Sequence, residues 1–316
     1  MKNTAGLTPV PRTIGYAIID AALRWPDRTA LVLEKHEASF AELARQVTNS
    51  ARSLVGLGVR KGDHVGILMP NCWDHLVLSS ALNLIGACAV VLNSRYRGDE
   101  LRYVINHAEI KILFPSGAAK QHLDLQAIIT ECFPELMEWD TSKELQLKAA
   151  PKLQKVFLFD APASCAWPDE NDFSLVAAQT PDDDLARIVE SVRPDDTAFV
   201  IFSSGTTALP KACMITHSSI THVSAGIAQR LRITADDVFW DPLPLYHLSS
   251  HLPLNACRQV GATYVCQTHF DASSALAELE RVKATVCYPA FPALTAAMID
   301  HPDFSKRDLS SLRIQL

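Results

Sequence analysis

The chain has 316 residues, room for one large domain or two to three ordinary ones, and it can bury a core without disulfide or metal staples. A composition of 48% hydrophobic and 20% charged residues excludes a disordered polypeptide. Lys and Arg number 29 against 35 Asp and Glu, a net charge of -6, which speaks against a general nucleic-acid binder because phosphate affinity needs clustered cations.

Eight cysteines are scattered without a Cys-x-x-Cys pair, several in apolar runs, the pattern of reduced, buried thiols in a cytoplasmic protein. The first residues have no apolar core of the kind a secretory signal needs. From His75 to Ser94 there is no charged residue, but serines, Asn83 and Gly86 interrupt the run. It reads as a buried helix, a glycine C-cap and a buried strand, with no transmembrane span.

Taken in chain order, Ser39 to Glu42 form a capping box ahead of a helix whose Phe40, Leu43, Val47, Ala51 and Leu54 recur at helical spacing. A strand comes next at 64–69. Pro70 and Asn71 break it, Asn71 serving as a cap for the helix carrying Trp73, Leu76, Val77, Ala81 and Leu84. Further strands are expected at 87–92, 110–114 and 155–159, with helices at 100–107 and 123–133. This rhythm predicts an α/β fold of stacked helix–sheet–helix layers with mostly parallel sheets. Residues 161–196, with four prolines and the run Asp182–Asp184, read as an acidic surface connection holding a short helix at 185–192. Beyond it, strands are expected at 198–202, 263–266 and 284–287, and helices at 217–231, within 247–260 and at 273–282. The expected division is therefore 1–196, a first α/β subdomain ending in the acidic linker, and 197–316, a partial second one.

The sharpest feature is the apolar run from Ala198 into Ser203, Ser204, Gly205, Thr206 and Thr207, closed by Pro210 and Lys211. Hydroxyls and backbone N–H groups with a mobile ammonium suit a polyphosphate. A plain turn has the same composition, and the residues alone leave both readings open. A Walker A loop is excluded, since Pro210 precedes Lys211 and Ala212 comes after it.

The stretch Ser203-Ser-Gly-Thr-Thr-Ala-Leu-Pro-Lys-Ala-Cys-Met-Ile-Thr-His217 resembles the phosphate-loop motif of the AMP-forming adenylating enzymes, which include acyl-CoA synthetases, peptide-synthetase adenylation domains and luciferases. Other segments agree in order: Ser39-Phe-Ala-Glu-Leu43, Val65-Gly-Ile-Leu-Met-Pro-Asn71, Gly86-Ala-Cys-Ala-Val-Val-Leu-Asn93 and Pro244-Leu-Tyr-His247. The resemblance runs from about Thr13 to Leu316 and implies the incomplete large N-terminal domain of an AMP-binding ligase.

By resemblance, Ser203, Ser204, Gly205, Thr206, Thr207 and Lys211 hold the ATP phosphates, Tyr246 and His247 bind the acid, and Lys211 and His247 are the catalytic candidates. The implied chemistry activates a carboxylic acid, fatty or aryl, with ATP and Mg²⁺ to an acyl-adenylate, then passes the acyl group to CoA. Two alanines, Ala208 and Ala212, stand where the family has glycine, so weaker nucleotide binding is expected, through strain or crowding at the phosphates.

His247 and His251 are four residues apart, but the glutamate of His-Glu-x-x-His is absent and no third ligand is in register, so no metal site is assigned. His217 reads as structural. By resemblance the apolar, aromatic segments 240–246 and 288–294 border the acid pocket and suit a fatty or aryl acid better than an amino acid, whose ammonium needs a buried carboxylate such as Asp241.

The adenine-binding segment, the Thr-Glu pair for Mg²⁺, the ribose-binding Asp and the C-terminal domain of the resemblance have no counterpart before residue 316. A truncated product or fragment of a longer ligase is therefore expected, with little or no activity alone and with exposed sheet edges open to self-association. The alternative is a non-catalytic paralogue that binds nucleotide, acyl ligand or a protein partner. A Rossmann-type dehydrogenase lacks support, because no Gly-x-Gly-x-x-Gly comes after the early strands.

Overall fold

A computed structural model describes residues 11–117, 123–203 and 209–316. In chain order they form α1 (Ile14–Arg24), β1 (Thr29–Leu33), β2 (His36–Ser39), α2 (Phe40–Gly56), β3 (His64–Leu68), α3 (Trp73–Ile85), β4 (Cys88–Val91) and α4 (Gly98–His107). Next come β5 (Ile112–Pro115), α5 (Leu125–Cys132), β6 (Lys155–Val156), α6 (Glu170–Leu175), α7 (Asp182–Ser191), β7 (Thr197–Ser203), β8 (Lys211–Thr216) and α8 (His217–Arg230). The chain continues through β9 (Val238–Asp241), α9 (Leu248–Val260), β10 (Thr263–Cys266), α10 (Ala272–Arg281), β11 (Val286–Cys287), α11 (Pro292–Ile299) and β12 (Ile314–Gln315).

Contacts divide the chain into two units. One comprises Met1–Arg45, Ser218–Pro244 and Leu248–Leu316; the other comprises Gln46–His217 and Leu245–His247. Each holds a six-stranded sheet. The first has the order β12-β11-β9-β10-β1-β2, parallel except for the β1–β2 hairpin at its edge. The second has the order β6-β5-β3-β4-β7-β8, parallel except for β8 at its edge. Mostly parallel sheets with helices between the strands are the expected α/β architecture.

Local chemistry explains the elements. The Ser39 hydroxyl accepts the Glu42 N–H at 3.2 Å and starts α2, whose Leu43, Val47, Ala51 and Leu54 are buried. Helix α3 is buried from His75 to Ile85, packing against β3 and β4 and also against α7. Gly86 ends it at φ 71°, a left-handed position that glycine takes without a Cβ clash. Among the described residues no helix is long and apolar enough to cross a membrane.

The structure departs from the sequence reading in places. Helix α3 is capped by Cys72, not Asn71, and the Cys72 side chain makes no capping hydrogen bond. The segment 161–196 is more ordered than a surface connection. Asp169 forms a capping box with Asp172 at the start of α6, and Asp182–Asp184 are the first turn of α7. Carboxylates there face the positive end of the helix dipole, which explains the acidic run. All eight cysteines are free thiols, but Cys213 is exposed and Cys165 half-buried.

Candidate functional site

Strand β7 carries the apolar run into Ser203, and β8 returns antiparallel, so that Ser203 pairs directly with Lys211, Phe202 with Ala212 and Ile201 with Cys213. Lys211, Ala212, Cys213 and Met214 are all exposed. The period of two puts Lys211 and Cys213 on one face, where the Cys213 thiol lies 4.0 Å from the Ser203 hydroxyl. Among the described residues the Lys211 ammonium has no ion-pair partner. Ser204, Gly205, Thr206, Thr207 and Ala208 lie outside the described residues. Ala212 sits in extended strand and is absent from the positive-φ residues, so it carries no left-handed strain.

Strands β3, β4, β5 and β7 are parallel, so their carboxyl ends share one edge of the sheet. That edge bears Asn71 after β3, the Asn93–Arg97 turn after β4, Ser116 after β5 and Ser203 at the end of β7. Strand order reverses at β3, which has β4 on one side and β5 on the other. In open α/β sheets ligands bind at the carboxyl edge beside such a reversal.

The Asn71 side-chain carbonyl accepts the Leu245 N–H at 2.8 Å, both residues being buried. This bond brings the adjoining Tyr246 and His247 to the same edge, with β3 and β7 about 10 Å apart at the usual strand spacing. The Tyr246 and His247 rings are 4.6 Å apart. Burial raises the Tyr246 hydroxyl pKa, and the charge of Arg95 pulls it back. Burial also lifts Tyr96 to about 12, helped by Glu100 and Tyr246. His247 is shifted below its ordinary value by burial, so its imidazole is neutral at pH 7. The edge thus combines a paired hydroxyl and ammonium on the hairpin with a phenol, a neutral imidazole and the Arg95 cation.

The structure therefore brings Ser203 and Lys211 together as a strand pair, and Tyr246 and His247 as a ring pair. Asn71, Arg95 and Tyr96 were missed in the sequence. Their signal was position: each comes after a parallel strand at its carboxyl end.

The other unit treats its polar groups differently. Asp241 ends β9 and is fully buried. Its carboxylate accepts the Tyr264 hydroxyl at 2.7 Å and the Leu243 N–H at 2.8 Å. Burial pushes its pKa up to about 7, against those hydrogen bonds. It is committed internally and offers nothing to a substrate ammonium. His251 is buried within α9. In the unit that carries the hairpin, His217 is buried at the start of α8, and burial lowers its pKa to about 4, with Asp196 opposing and Lys61 adding. Among the described residues no group of three or more His, Cys, Asp or Glu could hold a metal ion.

A mostly parallel sheet whose strand order reverses at β3, with a lysine-bearing hairpin on its carboxyl edge, defines an α/β protein of the open, doubly wound kind. The AMP-binding enzyme family matches residues 19–316, and the chain belongs to that family. It is 32% identical to a propanoyl:CoA ligase of Mycobacterium tuberculosis whose acyl group carries a methyl-dioxo-octahydroindenyl ring system, over 96% of this chain and 56% of the relative. It is 31% identical to the mitochondrial medium-chain acyl-CoA ligase of Mus musculus, over 96% of this chain and 50% of the relative. The chain spans about half the length of these curated relatives. Among solved structures, a long-chain-fatty-acid-CoA ligase from Archaeoglobus fulgidus superposes with a TM-score of 0.76 at 21% identity, covering 98% of this chain and 57% of that one. An anthranilate CoA ligase in complex with anthranoyl-AMP gives a TM-score of 0.76 at 20% identity, covering 97% and 55%. These likenesses show the fold.

Proposed function

We propose that this chain is the nucleotide- and acid-binding portion of an acid–thiol ligase. In the proposed reaction a carboxylate oxygen attacks the α-phosphorus of ATP, the bond to the β-phosphate breaks, and pyrophosphate leaves with the electron pair. The acyl-adenylate then reacts with the CoA thiol, forming the thioester and releasing AMP. The observation that carries this reading is the convergence of the Ser203–Lys211 pair and the Tyr246–His247 pair on one sheet edge.

Each residue takes its role from its chemistry. Lys211 and the hydroxyls of Ser203, Ser204, Thr206 and Thr207, with the Gly205 backbone, neutralise and hold the phosphates as negative charge shifts toward pyrophosphate. Tyr246 and neutral His247 form the wall against which the acid lies. Mg²⁺ would be held by the phosphates of the nucleotide and would offset their charge beside Lys211. A fatty or aryl acid is favoured over an amino acid, because the buried carboxylate of Asp241 is already occupied by Tyr264 and Leu243.

Calorimetric titration of 1–316 with ATP and Mg²⁺, then with octanoate, benzoate or alanine, tests the reading. Binding of ATP and of octanoate or benzoate, but not of alanine, is the expected result. Binding of neither nucleotide nor acid would overturn it, and binding of alanine alone would overturn the substrate class.

A further inference from the structure

The segment between β9 and α9 forms neither helix nor strand, so its buried backbone groups must find partners elsewhere. Pro242 and Pro244 have no N–H, which leaves Leu243 and Leu245 as the donors ahead of Tyr246. Leu243 donates to Asp241, its near neighbour. Leu245, fully buried, donates to Asn71, which is 174 residues away in the chain. An asparagine after a strand and before a helix ordinarily caps that helix. Here the cap position belongs to Cys72, and the Asn71 carbonyl is spent on a distant backbone N–H instead.

The bond matters because of the side chains next to it. Tyr246 comes directly after Leu245 and lies within the electrostatic reach of Arg95 and Tyr96, in the turn after β4. That turn is itself fixed, since the Asn93 side chain accepts the Arg95 N–H at 2.9 Å. Two asparagines, each placed just after a parallel strand, therefore hold the two backbones whose side chains interact electrostatically.

We infer that Asn71 is a positioning residue of the acid site: its side-chain carbonyl fixes the Leu245 backbone so that Tyr246 and His247 stand beside Arg95 and Tyr96 at the carboxyl edge of the sheet. The inference rests on the proposed role of Tyr246 and His247 as the acid wall. Asn71 itself touches no substrate. Without it, the wall keeps its side chains but loses the bond that sets their place.

The test compares wild-type 1–316 with Asn71→Ala and with Asn71→Asp, which keeps an acceptor oxygen. Amide hydrogen exchange is read at Leu245 and, as a control for folding, at Val90 and Val200 in the central strands. In Asn71→Ala, Leu245 is expected to exchange about tenfold faster or more, with Val90 and Val200 unchanged and Asn71→Asp close to wild type. The octanoate dissociation constant is expected to rise about fivefold in Asn71→Ala, with that of ATP unchanged. Unchanged exchange at Leu245 and unchanged octanoate affinity in a folded Asn71→Ala would overturn the inference. So would equal weakening of ATP and octanoate, or failure of Asn71→Ala to fold, since either marks an asparagine with a merely structural role. If wild-type protein binds no octanoate, the acid-site reading fails, while Leu245 exchange still decides whether Asn71 holds the backbone.

Discussion

The two sheets share a plan, six strands with one antiparallel pair at an edge, yet they treat that edge in opposite ways. In the β1–β2 hairpin, polar groups are tied down. The Arg281 guanidinium binds the Glu34 carbonyl at 2.8 Å and the Glu37 carboxylate at 3.3 Å, and Thr268 donates to the Glu34 side chain at 2.6 Å. These contacts hold Glu34 at φ 54°, an uncommon position for a residue with a Cβ. In the β7–β8 hairpin, Lys211 to Met214 lie open, and among the described residues the Lys211 charge has no ion-pair partner. The carboxyl ends of the strands differ in the same sense. Asp241 is closed by Tyr264 and Leu243, and Gln267 accepts the Trp240 indole N–H at 3.2 Å. Satisfied polar groups make an edge structural, whereas an exposed ammonium without an ion-pair partner leaves an edge able to take a polyanion.

The largest effect separating the two edges is expected at Asp241. Its folded pKa of about 7 lies above the unfolded value near 4, so the folded state binds more protons between them and stability falls as pH rises through that window. In urea unfolding from pH 4 to pH 8, wild type should lose about 2–4 kcal/mol of stability relative to Asp241→Asn, since the other shifted groups titrate alike in both proteins. An identical pH slope in both proteins would place the Asp241 proton elsewhere. Next in size is Lys211→Ala. ATP affinity should fall about tenfold or more, equivalent to about 1.4 kcal/mol, with the thermal midpoint unmoved because the side chain is exposed. A shifted midpoint with unchanged affinity would reverse the contrast between the hairpins.

Arg281→Ala probes the tied edge. Its partner Glu278 is largely buried while Arg281 is partly exposed, so a loss of about 1 kcal/mol in stability with ATP affinity unchanged is expected by denaturant titration and calorimetry. The smallest effect is chemical. Burial pushes the Cys72, Cys88 and Cys287 thiols up to about 12, whereas Cys213 is exposed on the open hairpin. Limited alkylation at pH 7.5 with peptide mass spectrometry should find Cys213 modified first, and more slowly when ATP is present. Labelling of Cys213 at the same rate with and without ATP would detach the hairpin from the nucleotide.

Much of this was legible in residue order. The Ser39 cap, the helical spacing of α2, Gly86 at the end of α3 and the buried parallel strands all obey local rules. Local rules failed where partners are distant or strands are short. Strand β9 is four residues long and ends on an aspartate that looks exposed until Tyr264 covers it. Strand β8 is solvent-facing and shows no hydrophobic alternation. Asn71 looked like a helix cap because its true partner, Leu245, is far away in the chain. The flanks of the β7–β8 hairpin were legible from motif and resemblance, while the approach of Tyr246 to the Arg95 charge depended on tertiary structure alone.

The most direct measurement uses an ATP derivative bearing a lysine-reactive acyl phosphate at its γ-end, with labelled peptides of 1–316 identified by mass spectrometry. The expected result is labelling of Lys211 that excess ATP suppresses. Labelling of another lysine, such as Lys61 or Lys111, that ATP suppresses while Lys211 stays unmodified, would contradict the assignment of the open hairpin to the nucleotide.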